Sequence, residues 1–381
     1  GSLKLNETGT LASTVTMSGG TLDADETLTV SGALTQTADI AIDVATGKTL
    51  TYSGAAVNLG AKTLTLSGGG TLSNTNALVL NNADSLLSLD DSSTVGLASV
   101  TVGSNAGKGL AVNESSTISS LKVTANTELK VAQGKVLSGS TEVAAATNLK
   151  LSGTGTFGST LNLLGTLEAG ANLTVSGLIS VGGNSAVSIP ANTTLTYTGG
   201  DLNVGAYSLS IGGAGTFSNA TGSPLVLNVA DSILDLSGTG TISGPLKLEG
   251  GTLKASAGSP TISGALTQYD DATIEVAANQ TLNYSGASLN LGANKLSLIG
   301  GGTLANTNAL VLNNADSLLS LAGILTIGDI DGTTSSNSGK GIEVTSSATM
   351  GDYDLSAVSY LSLAANQTLA GQLNLKTNGE L

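Results

Sequence analysis

Along the chain, apolar and polar residues alternate in short runs such as Thr49-Leu50-Thr51-Tyr52, Thr63-Leu64-Thr65-Leu66 and Ala77-Leu78-Val79-Leu80. Alternation with Thr, Val and Leu predicts strands buried on one side. Gly, Ser, Asn and Asp separate the runs, which is turn chemistry. The runs keep a beat. Leu28, Leu50 and Leu72 stand 22 residues apart, as do Leu173, Leu195 and Phe217, and Leu282 and Leu304. A second series with the same spacing, Ile42, Leu64 and Leu86, returns as Ile274, Leu296 and Leu318. Between the two series the beat runs through Leu50, Val57, Leu64, Leu72, Val79 and Leu86. Three short strands per ~22 residues predict an all-β chain coiled as a single parallel β-helix, or β-solenoid. Parallel crossovers make a right-handed coil the expectation. A lone coil cannot bury its apolar side, so neighbouring coils supply the stability. At ~4.8 Å per coil, about 17 coils predict a rod of roughly 80 Å. An array of β-sandwiches would need domain-sized repeats and would leave the 22-residue spacing without a cause.

A longer repeat overlies the short one. Residues 31–89 and 263–321 align without a gap at 43 of 59 identical positions, and a divergent copy spans 176–236. Such arrays argue against the separate globular domains that the length alone suggests, so 1–381 is read as one continuous solenoid. The stretch 91–160 is less regular, and the loops 103–109 and 333–341 are expected to interrupt the coils. Gly1-Ser2 reads as a cloning remnant with no signal peptide behind it, and Gly379-Glu380-Leu381 lacks capping composition. The chain is therefore expected to be a piece of a longer protein.

Composition narrows the chemistry. The chain has 52 Gly, no Cys, no His and no Trp. Its 13 basic residues are all Lys, against 27 acidic ones, for a formal charge of −14. Without Cys there are no disulfides or thiolate sites. Without His there is no imidazole catalysis or ligation. The acidity and the missing Arg argue against nucleic acid, and no apolar run approaches the ~18 residues of a membrane helix.

Tyr52, Tyr197 and Tyr284 recur at one place in the three blocks, each with an Asn 22 residues on: Asn74, Asn219 and Asn306. Alternation aims the Tyr inward or at a corner, where it fills space while the Asn closes a turn; a repeated sugar-stacking site is the functional alternative. Asp84, Asp231 and Asp316 sit in matching turns, and Asp90-Asp91 has no acidic counterpart at Ala322-Gly323. Calcium needs several converging oxygens. Asp329-Ile330-Asp331-Gly332 supplies only part of a calcium loop, so solvated acidic turns are the expectation and calcium the alternative. Gly68-Gly69-Gly70 and Gly300-Gly301-Gly302 lack the Lys-Ser/Thr of a phosphate loop and read as corners with positive φ. The only Ser-x-x-Lys weighed as a dyad, Ser119 to Lys122, lies in an ordinary strand pattern. Paired carboxylates for glycoside hydrolysis do not stand out. Thr27-Leu28-Thr29 and Thr49-Leu50-Thr51 suggest an outward Thr column of the kind that binds ice, but Thr71-Leu72-Ser73 drops a Thr. Asn-x-Ser/Thr at Asn6, Asn113, Asn172, Asn192, Asn279 and Asn366 is what this composition produces. No residue is assigned a catalytic, cofactor or metal role, and the chain is read as not an enzyme.

The phrases Ser-Gly-Gly-Thr-Leu-Asp-Ala at 18–24, Leu-Thr-Val-Ser-Gly-Ala-Leu at 28–34 and Leu-Glu-Gly-Gly-Thr-Leu-Lys at 248–254 resemble bacterial surface adhesins. The closest idiom is that of autotransporter passengers and filamentous-haemagglutinin-like exoproteins. The resemblance implies an extracellular, cell-surface location and a β-helical stalk for adhesion or cell–cell contact. Partners expected on that reading are surface glycans, proteins or further copies of the chain. A glycan-binding or glycan-cleaving solenoid and a self-assembling filament or surface layer are the alternatives.

Overall fold

The structure is a computed structural model that describes residues 1–324 and 326–376; the expectation placed on Gly379–Leu381 lies outside them. All its regular structure is β. The chain divides into two compact units, 1–183 and 184–381, and within each unit every paired strand runs parallel to its partner. Each unit is thus a β-solenoid. Its coil has a first face (for example Ile40–Val44 and Thr63–Ser67), a second (Thr49–Tyr52 and Thr71–Asn74) and a third (Val57–Asn58 and Leu78–Leu80). Nine first-face strands stack in the described part of each unit, roughly 40 Å at ~4.8 Å per coil.

Alternation places the core as expected. Leu28, Leu50 and Leu72 pair in register on the second face, and all three are buried. Tyr52 over Asn74, Tyr197 over Asn219 and Tyr284 over Asn306 are likewise direct cross-strand partners. Full burial of a Leu or Ile contributes about 1.5–3 kcal/mol, and apolar residues repeat inward on every face.

The second series is corrected. Leu64 pairs with Ile40, not Ile42, and then with Leu87, not Leu86; Leu296 pairs with Ala272 and Leu319. Leu86 and Leu318 consequently lean outward and are half-buried, as is Val79, while Leu78 and Leu80 point in. Coil length varies at the corners while strand register holds.

The stretch 91–160 keeps the stack but departs from the three-strand coil, with a register shift between Ile118 and Leu121. In Thr94–Val100, Ser116–Val123 and Val136–Val143 the second and third faces fuse into one long strand, as they do in Ala348–Leu355. Those coils have two strands instead of three. The loops at 103–109 and 333–341 do not break the stack; each carries the chain from the third face to the first and into Gly109–Val112 or Gly341–Val344.

The triple glycines are corners, for two reasons. Gly68 and Gly69 have φ of 85° and 72°, which L side chains resist. Gly70 has no such φ, but a Cβ there would sit 2.5 Å from Ala45 O. In two runs on the first face outward charges alternate in sign from coil to coil, Glu128–Lys150–Glu168 and Asp235–Lys254–Glu275, whereas Asp23 faces Asp43. The Lys254 ammonium lies 2.8 Å from Glu275, whose hydrogen bond raises the Lys254 pKa.

Candidate functional site

The strongest polar constellation is the bend between the second and third faces. Tyr52 is 3 % exposed; its hydroxyl donates to Ala55 O at 2.6 Å and accepts from Leu34 N–H at 3.0 Å. Tyr284 repeats this with Ala287 O and Leu266 N–H. One coil on, the Asn74 amide donates to Asn76 O and Leu97 O at 2.8 and 2.7 Å, and its Oδ1 accepts from Gly96 and Leu97 N–H at 2.9 and 3.1 Å. Asn306 donates to Asn308 O and Asp329 O and accepts from Gly328 N–H. Asn219 donates to Ser223 O and Pro245 O, but its Oδ1 has no partner: Gly244 does not donate to it as Gly96 and Gly328 do to theirs, and Pro245 has no N–H to take the place of Leu97.

A third member completes the stack and was not singled out in the sequence. Gly96, Gly244 and Gly328 lie against the Asn residues: a Cβ on Gly96 would fall 2.7 Å from Asn74 Oδ1. The bend is therefore a Tyr–Asn–Gly series over three coils, narrowing as it goes. Tyr353 lies outside this series: it pairs with Ile330 on the third face, and its hydroxyl meets Ser359 Oγ at 2.8 Å. Burial raises the pKa of both Tyr284 and Tyr353.

The acidic turns also hold coil to coil. Asn81, Asn228 and Asn313 each accept a hydrogen bond from the glycine N–H one coil back, Gly60, Gly205 or Gly292. Ser85, Ser232 and Ser317 donate to the carbonyl of the same glycine. Asp84 and Asp316 accept from Asn105 and Asn337 in the loops 103–109 and 333–341, at 2.7 and 2.8 Å. Asp90 accepts from Ser88 and Asn113, and Asp91 from Gly68 N–H. Asp329 accepts from Asp352 N–H. Asp331 stands opposite Asp354 in register, and its pKa is raised, first by burial and then by Asp354 and Asp329. Among the described residues no three acidic side chains converge as a metal-binding group. Ser119 and Lys122 lie in one strand, where Lys122 makes an exposed ion pair with Glu142.

The threonine column is longer than the tripeptides suggested, but single-file. Thr49, Thr71, Thr94 and Thr117 pair in succession, as do Thr281, Thr303, Thr326 and Thr349. The neighbouring column, Thr29, Thr51 and Ser73, ends there. An open groove of about 400 Å³ runs beside the bend in the second unit, lined by Thr303, Ala305, Thr307, Thr326 and Gly328 among others. Tyr284 underlies it but is only 2 % exposed. Tyr207, Tyr269 and Tyr360 are exposed at the corner between the third and first faces. Their place in turns, outside any alternating run, was the available signal.

Comparison with family models, with curated proteins and with solved structures gives no match. The likeness to autotransporter and haemagglutinin repeats rests on the parallel β-solenoid and its repeated phrases.

Proposed function

We propose that this chain is a structural segment of a large extracellular cell-surface protein, a rigid stalk for adhesion or cell–cell contact. The observation that carries the reading is that its most elaborate polar groups, the Tyr–Asn–Gly bend and the Asn–Ser corner, bond to the chain itself. They recur at matching places in the three long repeats. A binding or catalytic site breaks such regularity; a spacer does not. Acidity keeps such segments soluble and apart.

A glycan-binding surface is the second reading, favoured by the exposed Tyr207, Tyr269 and Tyr360 on one corner. Two measurements separate them. Removing residues 72–303 joins Thr71 to Leu304 in the register of the two aligned blocks, and a stalk of interchangeable coils is expected to fold cooperatively after the cut. On immobilised glycans, the intact protein is expected to show no retention beyond a Tyr207→Ala/Tyr269→Ala/Tyr360→Ala variant. Failure of the shortened chain to fold, or tyrosine-dependent retention, overturns the stalk reading.

A further inference from the structure

Six of the Asn-x-Ser/Thr sequences share one place in their coils, along one edge of each unit. Asn6, Asn113, Asn172, Asn192, Asn279 and Asn366 lie between a first-face strand and the second-face strand that follows it. Two more matches lie elsewhere and are tied into the fold: Asn219 is buried, and the Asn283 amide points to Ser259 O and Pro260 O.

Within the edge, three sites in the second unit share one geometry. Among the described residues, Asn192, Asn279 and Asn366 are the non-glycine residues with positive φ apart from Ala146, at 62°, 61° and 62°. Each is the third residue of a tight turn closed by a backbone bond: Thr193 N–H to Pro190 O, Gln280 N–H to Ala277 O, Gln367 N–H to Ala364 O. All three Asn are exposed. Successive sites are 87 residues apart in sequence, which is four coils, or roughly 19 Å at ~4.8 Å per coil. Asn113 Nδ2 donates to Ser88 and Asp90, and Asn172 also has a partner.

Backbone geometry alone does not select Asn here. In the first unit the same turn carries Gly47 and Gly134, with φ of 76° and 72°, closed by Lys48 N–H to Ala45 O and Lys135 N–H to Ala132 O. Glycine meets the left-handed requirement at less strain than Asn. What Asn adds is a solvent-facing amide two residues before a hydroxyl, at Thr194, Thr281 and Thr368, the acceptor pattern for N-linked sugar.

We infer that Asn192, Asn279 and Asn366 are N-glycosylation acceptors, competent in the folded protein, that line one edge of the second unit. The donor class is a sugar activated as a phosphate ester. The side-chain amide nitrogen forms a bond to the anomeric carbon, and the bond from that carbon to the phosphate oxygen breaks. The (di)phosphate leaves with its electron pair, and the amide gives up one proton to a base of the transferase. Sugar at these apexes projects away from the strand faces, so coil stacking is undisturbed.

The test is direct. The full chain, native or urea-unfolded, is incubated with UDP-glucose and a soluble asparagine glucosyltransferase, and sites are read by intact-mass and peptide mass spectrometry. Native protein is expected to take hexose at Asn192, Asn279 and Asn366, and to take it at Asn113, Asn172 and Asn219 only after unfolding. The triple Asn192→Gly/Asn279→Gly/Asn366→Gly variant keeps the turn, as Gly47 and Gly134 do. It is expected to retain its circular dichroism and melting temperature while native incorporation at these positions disappears. Overturning results are an unmodified native protein alongside a modified unfolded one, or equal native incorporation at Asn113 and Asn172.

Discussion

Three copies of the bend asparagine differ only in how many partners they reach, which makes truncation to alanine a graded test. Asn74 makes four hydrogen bonds, Asn306 three and Asn219 two. All three side chains are nearly buried, at 5 %, 9 % and 5 % exposure. A net hydrogen bond contributes about 1 kcal/mol, and backbone groups left unpaired cost about as much or more. The bend lies next to solvent, so water replaces part of the loss. Asn74→Ala is then expected to cost about 3 kcal/mol, Asn306→Ala about 2 and Asn219→Ala about 1.5. Urea unfolding gives the global values. Because long repeat arrays can lose two-state behaviour, native-state hydrogen exchange supplies the local ones. The amides of Gly96 and Leu97 are expected to exchange roughly 100-fold faster in Asn74→Ala. Pro245→Ala sharpens the test by giving Asn219 Oδ1 an N–H of the kind that Leu97 gives Asn74. In that background Asn219→Ala should cost more, with a coupling of about 1 kcal/mol in the double-mutant cycle. Equal costs at all three positions, or no coupling to residue 245, would refute the idea that hydrogen-bond count at the bend sets its strength.

Ala146 occupies the left-handed third position of the tight turn with φ of 56° and is exposed. Ala146→Gly should therefore raise stability by about 1 kcal/mol, seen as a higher urea midpoint; an unchanged or lower midpoint contradicts the strain. Tyr284 and Tyr353 have folded pKa values raised by burial above the ordinary 10.0. The folded state thus holds its protons where the unfolded state has lost them, and stability should fall as pH rises above about 10. The double variant Tyr284→Phe/Tyr353→Phe should flatten that loss, which alkaline melting curves would show. Asp331 is raised above 3.8 by burial and like charge, so its ionisation weakens the fold as pH rises through its folded pKa. Asp331→Asn should stabilise at pH 7 but not at pH 3; a gain of equal size at both pH values would remove electrostatics as the cause.

What the sequence made legible follows from how the register can slip. On the second face, Leu28, Leu50 and Leu72 mark the true pairing because Tyr52 and Asn74 distinguish one inward position from the next. A slip there would bring Leu against Tyr and leave the amide without its turn. On the first face both inward positions are aliphatic, as in Ile40 and Ile42 or Leu64 and Leu66. A slip of two residues leaves the inward pattern unchanged, so a 22-residue spacing fits as well as the 24 that the strand adopts. A slip of one normally turns every side chain over, but Leu86-Leu87 offers a Leu at either phase, and the doublet conceals it. The same degeneracy hid the third member of the bend. Among 52 glycines, nothing marks Gly96, Gly244 and Gly328 except the asparagine beneath each. The Asn-x-Thr turns were visible as letters, yet only the stacking of coils shows that they share an edge. Position along a solenoid is legible where neighbouring side chains differ in shape and polarity, and lost where they are alike.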